Sequence, residues 1–159
     1  MVGVKFITLG TLKEQYLREA AAEYEKRLSA FCKIQIIQLK EEKLPDSPTD
    51  GEIEKALERE AEKVMAEIPP RAYKIAMCVE GKQLSSEELA QKLGEISERY
   101  GEVCFIIGSS HGLSDKVKKA CDARISVSKL TFPHQLMRVL LLEAVYRGFN
   151  ILKGTKYHK

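Results

Sequence analysis

Residues 103–114 read VCFIIGSSHGLS, an apolar run closed by a glycine and followed by a short polar loop. Nothing from Val103 to Gly108 carries a strongly polar side chain, as a strand covered on both faces requires; a strand with one wet face would alternate. Doubly covered strands belong to parallel sheets, whose connections are usually helices. The fold therefore turns on whether helices flank this strand.

They do on both sides. Upstream, Ser85 followed by Glu88 predicts a capping box that opens a helix running to about Tyr100. Before it lies YKIAMCVE (73–80), a predicted strand, with GKQL as its turn. Thr49 and Glu52 form a second capping box, for a helix stopped near Ile68 by Pro69 and Pro70. KIQIIQL (33–39) and VGVKFITL (2–9) read as two further strands. Between them, Tyr16, Leu17, Ala20, Ala21, Tyr24 and Leu28 recur at helical spacing over 13–31. Downstream, Ser114 can cap a short basic helix to Cys121, RISVS (124–128) is a last strand, and Pro133 suits the first position of a final helix. Strands and helices alternate throughout, which predicts an α/β fold: a mostly parallel sheet with helices on both faces, in a single domain over 1–159.

Bulk properties agree. The 159 residues are 44% hydrophobic and 31% charged, with no apolar run long enough for a bilayer, and the amino terminus resembles a strand more than a signal peptide. A cytoplasmic protein without membrane partners is the expectation. Cys32, Cys78, Cys104 and Cys121 show no metal-ligand spacing and read as buried thiols, so no metal is expected. Net charge is only +3, but residues 102–159 hold 10 Lys and Arg against 4 Asp and Glu. A polyanion would sit most comfortably on that third of the chain, which also holds all three histidines.

Familiar nucleotide motifs are missing. The first turn, LGTLKEQ, is not a dinucleotide fingerprint, and neither a P-loop nor a G-x-S-x-G elbow occurs. In an open parallel sheet, ligands bind beyond the carboxyl ends of the strands. That edge carries Met77 to Gly81, Gly108 to Leu113, and Ser128 to Phe132. Gly108 and Gly112 would let backbone approach a ligand there, though an ordinary strand-to-helix turn explains them equally well. The last helix is apolar on more than one side, with Met137, Val139 to Leu142, Ala144, Val145 and Phe149, so a second subunit is a natural cover; burial within its own domain is the other explanation.

The loop Gly108 to Leu113, the block SKLTFPHQLMR, the string EAVYRGF and the terminal YHK together resemble the small bacterial SPOUT-class family of ribosomal RNA large-subunit methyltransferase H. LGTLKEQY and EYEKRL extend the resemblance over essentially the whole chain. It implies a cytoplasmic homodimer whose carboxyl-terminal segment forms a deep trefoil knot, methylating N3 of a pseudouridine in 23S ribosomal RNA of the ribosome with S-adenosylmethionine. Carried over by position, it implies cofactor contacts at Met77, Gly108, Val127, Ser128, Lys129, Leu130, Thr131 and Phe132. One departure is Ser109, where members commonly have a second glycine; a positive φ there would strain serine. His158 and Tyr157 are the candidates for touching the reacting base, with His134 and Arg138 as orienting or phosphate contacts. A related methyltransferase acting on transfer RNA and a non-enzymatic RNA-binding module of this fold are the rival readings.

Overall fold

The computed structural model describes residues 1–159. Its elements run β1 (Gly3–Leu9), α1 (Gln15–Leu28), β2 (Lys33–Leu39), α2 (Asp50–Glu67), β3 (Tyr73–Gln83), α3 (Ser86–Arg99), β4 (Glu102–Ile107), α4 (Asp115–Ala120), β5 (Ala123–Ser126) and α5 (His134–Lys153). The order across the sheet is β2-β1-β4-β3-β5, with every pairing parallel.

Alternation along the strands builds two cores. Val4, Phe6, Ile75, Val103, Phe105 and Ile125 point to one face, where α1, α3 and α5 supply Leu17, Leu28, Leu93, Ile96, Leu142 and Val145. Ile7, Leu9, Ala76, Cys104 and Ile106 point to the other and meet Ala61, Val64 and Val117 of α2 and α4. At the centre of the first core, Phe6 and Phe105 stack with ring centroids 5.2 Å apart. The 103–107 run is fully apolar because each successive residue enters one core or the other.

Both capping boxes form. Thr49 Oγ1 accepts from the Glu52 amide while Glu52 Oε1 accepts from the Thr49 amide, and Ser85 and Glu88 repeat the arrangement. Ser114 Oγ accepts from the Val117 amide to start α4.

Three local expectations need correction. GKQL is not a turn: β3 continues to Gln83, but Met77 and Lys82 both pair with Ile125, so Cys78–Gly81 is extruded between them. Gly81 permits this because a Cβ there would lie 2.5 Å from the Ile125 carbonyl carbon. Pro133 is the residue before α5 and not its first turn, having ψ 136. Of the cysteines, Cys32 and Cys104 are buried, whereas Cys78 and Cys121 are half-buried. No helix is long and apolar enough to cross a membrane.

Candidate active site

The carboxyl ends of β3, β4 and β5 converge on a cavity of about 410 Å³. It opens because the chain leaves β3 toward α3 on one face of the sheet and leaves β4 toward α4 on the other. The extruded Cys78–Glu80 forms one wall, Gly108–Leu113 the floor, and residues 126–128 and 130–132 the opposite wall. Of the positions that the resemblance implies, Met77, Gly108, Val127, Ser128, Leu130, Thr131 and Phe132 line it; Lys129 is exposed and does not.

The floor is shaped by close backbone approach. A Cβ on Gly108 would lie 2.4 Å from the Gly112 carbonyl oxygen, so no larger residue fits without displacing the loop. Gly112 takes φ +82 and donates its amide to the Ser109 carbonyl at 2.9 Å, closing the turn. No non-glycine residue has positive φ, so Ser109 is not strained; the left-handed position falls at Gly112. Ser109 is instead buried, with its hydroxyl on Glu60 of α2.

The opposite wall braces itself. Ser126 Oγ donates to the Ser128 carbonyl and Ser128 Oγ accepts from the Leu130 amide, both at 3.0 Å. These bonds hold an irregular segment in one shape while leaving Leu130 70% exposed at the cavity.

Five charged or titratable side chains reach the lining: Cys78, Glu80, His111, Lys118 and His134. Lys118 Nζ lies 2.5 Å from Glu80 Oε1, and this bond holds the Glu80 carboxyl below its ordinary range. His134 is the first residue of α5, a helix with no side-chain cap, so its leading N–H groups have no side-chain acceptor. Lys118 and Met137 are lining residues absent from the sequence-based candidates. Their signal was only helical spacing from Ser114 and Pro133, which fixes a face once the cavity is known.

The remaining candidates lie elsewhere in the subunit. Tyr157 Oη donates to Glu143 Oε2 at 2.5 Å, and Arg147 Nε donates to the other Glu143 oxygen at 2.8 Å. Burial, reinforced by the Glu143 bond, raises the Tyr157 phenol well above its ordinary pKa. His158 bridges Arg147 Nη1, 3.2 Å from Nδ1, and Glu87 Oε1, 2.9 Å from Nε2. Arginine can only donate, so Nδ1 is the acceptor and Nε2 carries the proton given to Glu87. Neither Tyr157 nor His158 lines the cavity of its own subunit.

Arg138 is 4% exposed and ties α5 to the ends of β1 and β2. Its Nη2 donates to the carbonyls of Leu9 and Gly10, its Nη1 to Gln38 Oε1, and its Nε has no partner. Desolvation lowers its pKa. The structure does not bring this guanidinium to the cavity.

A parallel α/β sheet with a cavity between the loops at its carboxyl edge matches a known class of enzyme. The chain belongs to the SPOUT methyltransferase family: the model described as "Predicted SPOUT methyltransferase" matches residues 2–158. Within that class it is similar over its whole length to ribosomal RNA large subunit methyltransferase H. The protein of that name from Leuconostoc mesenteroides is 46% identical over 159 residues, covering 99% of this chain and 100% of that one. Its counterpart from Caldicellulosiruptor saccharolyticus is 48% identical over 156 residues, covering 98% and 99%. A crystal structure of tRNA (m1G37) methyltransferase from Aquifex aeolicus aligns at TM-score 0.53 and 15% identity, over 91% of this chain and 69% of that one. At that identity the likeness concerns the fold alone.

Proposed function

We propose that this methyltransferase transfers a methyl group from S-adenosylmethionine to N3 of a pseudouridine in 23S ribosomal RNA, acting on the assembled ribosome as a cytoplasmic homodimer. The observation that carries the reading is that seven of the eight cofactor positions implied by the family resemblance, all but Lys129, line one cavity.

The cavity suits the cofactor. Small-ligand sites span roughly 300–1,000 Å³ and are mostly apolar with a few fixed polar groups. Here Met77, Ile107, Leu130 and Phe132 offer apolar surface to a purine and a thioether chain, and the 126–132 backbone offers hydrogen bonds. S-adenosylmethionine, when bound, supplies a methyl group on a positively charged sulfur, and so the electrophile.

The chain's residues must then place the acceptor and take a proton. N3 of pseudouridine is an imide N–H, and an imidazole is suited to receive its proton at neutral pH. His134 faces the cavity beside the uncapped start of α5, where an anionic group is favoured. His158 accepts from Arg147 at Nδ1 and donates to Glu87 at Nε2, so Nδ1 is the atom freed to take a proton once Arg147 turns to the RNA. Tyr157 anchors that tail through Glu143. Arg138 enters this reading by fixing α5, and hence His134, to the end of β1.

Dimerisation and the knot complete the proposal. Met137, Leu140, Ala144 and Ile151 of α5 stay half-exposed after α1 and α3 have packed against it, which supports a second subunit there. The loops 77–81 and 108–113 share one cavity with residues 126–132, the segment that the proposed trefoil knot would thread.

Methyl incorporation separates the readings. Purified protein with S-adenosylmethionine is expected to methylate ribosomes from a deletion strain, and nucleoside mass spectrometry of that strain's 23S RNA should show one missing methyl on a pseudouridine. Incorporation into transfer RNA would point to a related substrate. Ribosome binding without cofactor binding would leave only an RNA-binding module.

A further inference from the structure

The floor of the cavity is a thin wall. Ser109, Ser110 and His111 line the 410 Å³ cavity on one side and a second hollow of about 160 Å³ on the other. The second hollow is bounded by Glu41, Glu42, Leu44, Ile53 and Glu60, among others. The loop therefore has space behind it where a core element would have packed side chains, and packing alone does not fix its height.

One side chain reaches it from behind. Glu60, on the inner face of α2, is 3% exposed. Its Oε1 accepts from Ser109 Oγ at 3.3 Å and its Oε2 from the Glu42 amide at 3.0 Å. No Lys, Arg or His forms a salt bridge with it. A buried carboxylate without a cation is costly unless its hydrogen bonds hold it, so the residue is an unusual choice for simple packing. Its two bonds join the segment after β2 to the turn after β4, and Ser109 in turn holds Gly112 through its carbonyl.

We propose that Glu60 is a positioning residue for the cofactor: it clamps Ser109 and so sets the height of the Gly108–Gly112 floor beneath S-adenosylmethionine. This rests on the cofactor reading above. Glu60 touches no ligand itself; it does not line the larger cavity.

Calorimetry with S-adenosylmethionine on four variants tests the clamp, well below each variant's melting midpoint. Glu60→Ala is expected to weaken binding about tenfold, as losing one hydrogen bond to a charged group does. Glu60→Gln should restore it, since the amide can accept from the Glu42 amide and meet the Ser109 hydroxyl. Ser109→Ala should weaken binding by a similar factor, and the double variant by no more than either alone. Unchanged affinity in folded Glu60→Ala, or losses that simply multiply in the double variant, would overturn the clamp. If Glu60→Ala does not fold, Ser109→Ala decides alone, with unchanged affinity as the overturning result. Should the unaltered protein fail to bind S-adenosylmethionine, the cofactor reading falls instead.

Discussion

Gly108 and Cys78 are the two residues at which the cavity is most directly probed. A side chain at Gly108 would enter the space of the Gly112 carbonyl, so Gly108→Val is expected to weaken S-adenosylmethionine binding by about a hundredfold or more, read by calorimetry. Cys78 offers a gentler test. Burial raises the thiols of Cys32 and Cys121 to about 11 and of Cys104 to about 12, which leaves almost no thiolate at neutral pH. Cys78 is raised as well, by burial and then by the Glu80 charge, but it lines the cavity. Maleimide labelling followed by peptide mass mapping should show Cys78 slowed by the cofactor while half-buried Cys121 is unaffected; equal rates would place the ligand elsewhere. Ser109 shows what sequence reading lacks at this scale. Its departure from a glycine pair looked like strain, because the chain alone does not say which residue of a turn takes positive φ or what lies behind it.

Elements were more legible than residues, for physical reasons. Capping boxes are local, needing only Thr49 with Glu52 or Ser85 with Glu88, and both were visible in the sequence. Thr49→Ala should therefore cost about 1 kcal/mol and lower the melting temperature by about 2–4 °C, measured by calorimetric or circular-dichroism melting. The extrusion of Cys78–Gly81 was not legible, since it depends on the pairing of Met77 and Lys82 with the same residue of a strand more than forty positions away. The terminal segment falls between these cases. That Tyr157 and His158 matter was implied by resemblance, yet their hold on Glu143, Arg147 and Glu87 joins three separate stretches of chain. Removing residues 157–159 is expected to leave the fold and cofactor binding intact while abolishing methyl transfer; full activity in the truncated protein would detach the tail from the chemistry.

The alternation of strands and helices announced the architecture because parallel strands leave the chain few alternatives, but what covers the molecule from outside is invisible to periodicity. Two features of the whole subunit point outward. Tail residues 157 and 158 do not line their own cavity, and α5 keeps Met137 and Leu140 partly exposed beside it. A homodimer that closes over α5 would bury that surface and bring a second tail near each cavity, so sedimentation should give a mass near twice 18.0 kDa. The charge distribution adds a second constraint, since the excess of basic residues is confined to 102–159, the part of the chain holding the cavity floor, one of its walls, α5 and the tail. If RNA lies there, phosphates are neutralised and counterions released, and ribosome affinity must fall as salt rises while affinity for S-adenosylmethionine changes little. Binding measured across a salt series separates the two: parallel slopes for ribosome and cofactor would remove the RNA from this face, while a sedimentation mass of one subunit would remove the dimer.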